Sequence, residues 1–501
     1  MTTLAQIAGP VGCAGLAVLL VATRRDLRIV GLAAWVLGLA GLALYLAPDV
    51  SRTLLAAGAV AGLVATVVGA WLLTRYPYLL AFATLACLPV RLPITIGSEK
   101  ASLLLPLYGV VTMLALSLAW QLIRGDSRTR ELGPVAWPLA AVVLWTGLSL
   151  AWTLDPKKGA IFLAAFILPF GLLAIGFARL PWRGRWLTWL WAGLVLTALA
   201  YATVGMYQWV TRDVFWNPGI IVGNAYAPFF RVNSVFWDPS IYGRYLAVAI
   251  LVTLAGIVLG GVRGLRSLGL YVVVIAIWIG LAFSYSQSSF IALAAGVVVS
   301  AAVAWGRRAV VALVALGLLA AVVALAAPQV RHEITGKSGR GLNKITSGRS
   351  NLVSQGIHIA ADHPVVGIGV GGFRRAYAER TGVKGTDPKR VASHTMPITV
   401  AAEGGIVGLA LLCWLVVAAL AATLLRLGVG FTSRTSLAIG VALVAITVHS
   451  FFYAAFFEDP LTWALLGLIG VVALVPKKPG RAALSSGDVP PDAVAPVAPA
   501  T

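Results

Sequence analysis

Runs of about 20 apolar residues, each long enough to cross a bilayer core as a helix, alternate with short polar gaps along almost the whole chain. The runs fall at 5–23, 29–47, 54–73, 78–96, 101–123, 134–152, 159–178, 186–210, 244–262, 268–285, 288–305, 309–327, 396–425, 436–457 and 461–475. Pro89, Arg91 and Pro93 interrupt the fourth run, the last is short, and 268–305 is one apolar stretch broken at Ser284–Ser289. The pattern predicts an all-α polytopic integral membrane bundle of about 12–15 spans. Two longer polar intervals divide it. The expected organisation is N-terminal membrane helices over 1–210, a first outer loop over 211–243, and membrane helices over 244–327. A large, partly helical outer loop then covers 328–395, C-terminal membrane helices cover 396–476, and a Pro/Ala-rich disordered tail covers 477–501.

Composition excludes a soluble globular protein: 60% of the 501 residues are hydrophobic, 11% are charged, and mean hydropathy is +0.92. The net charge of +21 would suit a nucleic-acid partner, but most of the cations sit singly or in pairs between apolar runs, where they set topology. No nucleic acid is implied. Taking alternate gaps, one set carries 19 Lys/Arg, and the short loops of the other carry only Arg52, Lys100, Lys157 and Lys158. The rich set is therefore expected in the cytoplasm and both long intervals on the outer face. With fifteen spans the N-terminus would lie outside. The run starting at Leu4 lacks a basic flank before it and is followed by Arg24 and Arg25, so it reads as a retained helix rather than a cleaved signal. Cys13, Cys87 and Cys413 all lie in apolar runs and read as small core residues.

The interval 328–395 concentrates the polar chemistry. It holds four of the five histidines (His332, His358, His363 and His394) and eleven Lys/Arg against four acids, a balance that points to an anionic ligand. Gly348–Ala361 has the spacing of a surface helix, with His358 and Asp362 four apart on one face. Gly336-Lys337-Ser338 resembles the end of a phosphate-binding loop. However, Arg331 stands where the first glycine belongs, no strand precedes it, and it faces away from cytoplasmic ATP. The histidines lack metal-ligand spacing, so no metal site is expected. Gly367, Gly369, Gly371 and Gly372 either make turns or expose N–H groups to a phosphate.

Among the remaining polar residues, Arg231 lies among aromatics near a helix end and Arg244 opens the next helix. Each can snorkel to headgroups or grip a diphosphate with its planar fork. Glu403 enters an otherwise apolar helix, either as a carboxylate satisfied by loop N–H groups or as a functional group. His394, just before that helix, has the chemistry of a general base at neutral pH. His449 reads as a hydrogen-bonded core histidine.

From Arg231 to Trp463 the chain resembles the O-antigen ligase and polymerase superfamily of membrane glycosyltransferases. The likeness runs through Arg231-Val-Asn-Ser-Val-Phe-Trp-Asp-Pro-Ser240, the polar break from Ser284, Gly348-Arg349-Ser350 and Asp362–Phe373. It continues through His394 with Glu403-Gly-Gly and closes at Phe457–Trp463. One departure is Gln287 where the family often has arginine. The resemblance implies transfer of a glycan from a polyprenyl-diphosphate carrier to a hydroxyl of a glycan, lipid or protein acceptor, at the outer face of the bacterial cytoplasmic membrane. It places the catalytic base at His394 and diphosphate-binding arginines at Arg231 and Arg349; the residue chemistry above adds Arg244 as a further substrate-binding candidate and Glu403 in support. It implies an inverting, metal-independent reaction with no cofactor. A polysaccharide polymerase of the same superfamily is the nearest alternative. A transporter or flippase of lipid-linked glycans is the alternative from another class, although transporters usually keep their charges on broken helices at the bilayer midplane.

Overall fold

The computed structural model describes residues 2–47, 52–96, 99–129, 131–180, 185–226, 229–259, 264–326, 349–382, 393–425, 427, 431–453 and 455–473. Gly336–Ser338, His332 and the tail 477–501 lie outside them. Eleven of the described helices are long and apolar enough to cross a membrane. In chain order the first helices are α1 (Thr2–Val21), α2 (Arg25–Leu46), α3 (Arg52–Arg75), α4 (Leu79–Cys87), α5 (Leu105–Ile123) and α6 (Ala136–Leu148). Next come α7 (Pro156–Phe162), joined through a π-turn to α8 (Leu168–Ala178), then α9 (Trp186–Thr211), α10 (Pro218–Tyr226), α11 (Pro239–Val258) and α12 (Leu265–Phe283). The last are α13 (Gln287–Trp305), α14 (Arg307–Ala326), α15 (Arg349–Asp362), α16 (Phe373–Thr381), α17 (Met396–Leu424), α18 (Phe431–Ser450) and α19 (Pro460–Ala473).

The α7–α8 segment is almost wholly buried and forms the centre, whereas α9 and α12 keep most of their surface outside the protein. Small residues allow close approach at the first pair: a Cβ on Gly38 would collide with the backbone of Gly12, and one on Gly15 with that of Gly31. Such small-residue contacts are how helices pack where lipid removes the hydrophobic drive.

Three features differ from the apolar pattern. The run 78–96 is not one helix: α4 ends at Cys87, and the chain then enters a hairpin of β1 (Leu92–Ile96) and β2 (Glu99–Leu103), with Leu92 opposite Leu103. Pro89 and Pro93 explain this, because proline removes a helical N–H and disfavours helix in the residue before it. Helix α11 starts five residues before the predicted 244. The Asp238 carboxylate accepts from Ser240 N at 2.7 Å, and Pro239 takes the first helical position, a favoured start.

The third feature concerns three arginines of the cation-rich gaps, which the pattern assigned to topology alone. Arg28 and Arg179 meet Glu131 at 2.8 and 2.7 Å, and Arg179 also meets Asp126 at 2.6 Å. Arg128 joins them through Asp126 at 2.5 Å. This network, buried except for the exposed Arg128, ties α2, the α5–α6 connection and the end of α8 together.

The break at Ser284–Ser286 separates α12 from α13 as expected, and its hydroxyls are used internally. Ser286 bonds Ser289 at 2.8 Å, and Ser288 meets His449 Nε2 at 3.1 Å.

Candidate functional site

The central feature is a kink in α17. Gly405 has φ +65°, and a Cβ there would strike the carbonyl of Val365. The glycine-rich loop 363–372 lies against this kink. Ile368 N donates to Ala402 O at 3.0 Å, Gly369 N to Glu403 O at 2.9 Å, and Ile406 N to Pro364 O at 2.8 Å. Gly367, Gly369 and Gly371 all have positive φ, the conformation that glycine adopts at little cost.

On its other side the loop is fixed to the α6–α7 connection. Thr153 Oγ1 donates to Val370 O at 2.7 Å, and Leu154 N to Ile368 O at 3.2 Å. The Glu403 carboxylate accepts from Phe373 N at 3.2 Å and from the backbone of Gly371. The loop is thus a turn whose N–H groups at Gly371 and Phe373 are taken by the chain's own Glu403 carboxyl.

Next to this junction is a cavity of about 380 Å³, lined in part by Arg91, Lys158, Glu403, Glu458, Trp145 and Tyr453. Its walls come from the end of α6, the start of α7, the start of α17 and the α18–α19 connection, so it opens among segments that join helices at one end of the bundle. Burial raises the Glu458 carboxyl above the usual carboxylate range, and the charges of Arg91, Arg244 and Lys158 oppose that rise. Arg91 also donates to Glu458 O at 3.1 Å.

His394 is held just before α17 with φ +59°. Ser393 and Thr399 fix the turn: Ser393 Oγ donates to Thr395 O at 2.8 Å and lies 2.9 Å from Thr399 Oγ1. Ser393 is fully buried, His394 is half-buried, and Thr399 and Met396 line the cavity. His358 and His363 are exposed. A non-glycine residue in the left-handed region costs about 1–3 kcal/mol and persists only where its surroundings hold it.

The arginines are distributed differently from the histidine. Arg244, in the second turn of α11, is 1% exposed, lies 2.8 Å from Asp459 and donates to Ala455 O at 3.4 Å. Its charge is committed to the α18–α19 connection that walls the cavity. Arg231 is half-buried beside a separate cleft lined by Asn224, Phe229 and Tyr285. Its Nε donates to Ser284 O at 3.2 Å, and its backbone N donates to Asn224 Oδ1 at 3.0 Å. Arg349 begins α15, and its side chain lies outside the described residues.

Three arginines of the interval 328–395 meet the chain's own carboxylates. Arg380 pairs with Asp362 at 2.5 Å, Arg375 with Glu379 at 3.0 Å, and Arg374 with Asp155 at 3.5 Å. Sequence reasoning missed Arg91, Lys158 and Glu458 as one group. Their signals were an arginine between two prolines in an apolar run, a lysine in a cation-poor gap, and the Phe457-Glu458-Asp459-Pro460 turn.

The architecture is therefore that of a multi-pass helical membrane protein with a charged, aromatic-walled chamber where its connecting segments converge. Residues 271–413, less than a third of the chain, match the family described as O-Antigen ligase, in line with the resemblance read from the sequence. The match runs from α12 through His394 and Glu403 to the middle of α17, and Arg231, Arg244 and Glu458 lie outside it. No curated protein matches the chain. The matched domain supports a membrane glycosyltransferase of ligase or polymerase type.

Proposed function

We propose that the protein transfers a glycan from a polyprenyl-diphosphate carrier to an acceptor hydroxyl on the outer face of the bacterial cytoplasmic membrane, with inversion at the anomeric carbon. The observation that carries this reading is His394, held in a left-handed turn by Ser393 and Thr399; His394 is not itself a lining residue of the charged cavity, but Met396 and Thr399, just after it, are. The bias of 19 cations toward one set of gaps supports the outward orientation.

In the reaction His394 takes the proton from the acceptor hydroxyl, whose oxygen attacks the anomeric carbon as the bond to the diphosphate breaks. The diphosphate leaves with added negative charge. Fixed guanidinium and ammonium groups stabilise it more in the transition state than in the ground state. Arg231 and Arg349 are the candidates from the sequence, and Arg91 and Lys158 supply cations from the cavity wall. Arg244 acts through Asp459 by holding the α18–α19 connection. Glu403 acts by fixing the glycine loop that shapes the chamber.

The test is reconstitution of the purified protein in nanodiscs with a polyprenyl-diphosphate-linked oligosaccharide and a hydroxyl acceptor. The expected products are free polyprenyl diphosphate and a glycoconjugate of inverted anomeric configuration, read by mass spectrometry and NMR. A product of retained configuration would overturn the single-displacement scheme, and transport without a covalent product would overturn the enzyme reading. Unpolymerised single units accumulating in cells that lack the protein would favour a polymerase, and full-length unattached chains a ligase.

A further inference from the structure

A second cavity, of about 260 Å³, shares no lining residue with the first and has Leu187, Trp191, Val252, Gly256, Arg434 and Leu465 among its lining residues. It is bounded by the first two turns of α9 and of α18, the last turns of α11 and the end of α4. The ends of α9, α11 and α18 adjoin cation-rich gaps, whereas the end of α4 and Leu461 at the start of α19 adjoin cation-poor connections. From Val248 to Gly256 the α11 wall is about 12 Å deep at 1.5 Å per residue, enough for eight to ten methylenes.

The wall is almost entirely apolar. Thr84, one of its few hydroxyls, is already bonded to Leu80 O at 2.7 Å within α4. Two donors stand out: Arg434 Nε and Trp191 Nε1 are both buried, and neither has a hydrogen-bond partner among the described residues. A buried donor is costly unless an acceptor reaches it, and here both donors belong to residues that line one apolar slot. Leu187, Trp191 and Arg434 are only half-buried, so the slot is open to its surroundings.

We infer that this cavity binds one anionic glycerophospholipid, with an acyl chain against α11 and α19 and the phosphate oxygens accepting from Arg434 and Trp191. The chemistry selects this occupant. An acyl chain matches the aliphatic wall, a phosphate supplies acceptors for both donors, and the cation-rich end favours a headgroup with net negative charge. The site lies apart from the glycan-transfer chamber and does not depend on that reading.

The test is native mass spectrometry of the full chain in detergent, titrated with phosphatidylglycerol or phosphatidylcholine of matched acyl chains. Wild type should hold one phosphatidylglycerol roughly tenfold tighter than phosphatidylcholine, and Arg434→Gln should lose roughly that factor, about 1.4 kcal/mol. Gly256→Phe should block the acyl chain in both lipids, because a Cβ at Gly256 meets no atom within 4 Å and the ring would fill the slot. Trp191→Phe, which keeps the packing, gives a second reading of the headgroup contact with an expected loss of a few-fold. Equal binding of the two lipids, wild-type binding in Arg434→Gln and Gly256→Phe alike, or tighter binding of polyprenyl phosphate than of phosphatidylglycerol would each overturn the assignment.

Discussion

The turn at Ser393-His394-Thr395 shows how two hydroxyls set one side chain. The Ser393 hydroxyl reaches Thr395 O and Thr399 Oγ1, so His394 stays at φ +59° although extended backbone would cost less. Replacing Thr399 by Val removes one of these contacts while keeping the shape. The expected effect on glycan transfer is a fall in kcat of roughly tenfold with KM little changed, consistent with lost orientation of the base, measured by steady-state kinetics. Gly405 makes the opposite demand: it needs a positive φ and open space beside Val365 O. Gly405→Ala should destabilise the protein by at least about 1–3 kcal/mol, seen as a lower unfolding temperature in detergent, whereas Gly109→Ala, where a Cβ meets nothing within 4 Å, should leave it unchanged.

At the scale of elements, the α18–α19 connection shows why the arginines do not all do one job. Arg244 and Asp459 are both buried. Removing one partner leaves the other charged and unpaired, a loss of about 3–5 kcal/mol. Asp459→Asn should therefore lower thermal stability and activity together, and joint replacement of Arg244 and Asp459 by apolar residues should recover much of the stability. Glu458 on the same connection titrates above the usual carboxylate range because of burial, with Arg91, Arg244 and Lys158 opposing. As pH rises through that range Glu458 ionises and offsets Arg91 and Lys158, so the KM for an anionic donor should rise. Glu458→Gln should flatten that dependence in a pH series of donor saturation curves.

For the whole molecule, much of the architecture was legible in the sequence, because the hydrophobic period and the length of each run are set by the bilayer rather than by tertiary contacts. The break at Ser284–Ser286 and the helix Arg349–Asp362 could be read from local composition alone. The run 78–96 could not, because its proline signal was outweighed by its hydropathy, and a short helix with a hairpin stands in its place. The grouping of Arg91, Lys158, Glu403 and Glu458 around one cavity was hidden for a different reason. These residues come from four distant segments, and nothing in a linear pattern relates them. The arginines of α16 read as ligands for an outside anion, yet they pair with Asp155, Asp362 and Glu379, because a charge count does not record which opposite charges the fold brings near.

Glycan transfer by this protein turns on the imidazole of His394. The most direct measurement is the transfer rate of His394→Asn with a polyprenyl-diphosphate-linked oligosaccharide. Asparagine tolerates the left-handed backbone conformation and cannot act as a base at this position. The expected result is an unchanged unfolding temperature and a fall in rate of about 10²–10⁴-fold, the usual worth of a general base. A correctly folded His394→Asn protein turning over within twofold of wild type would contradict it.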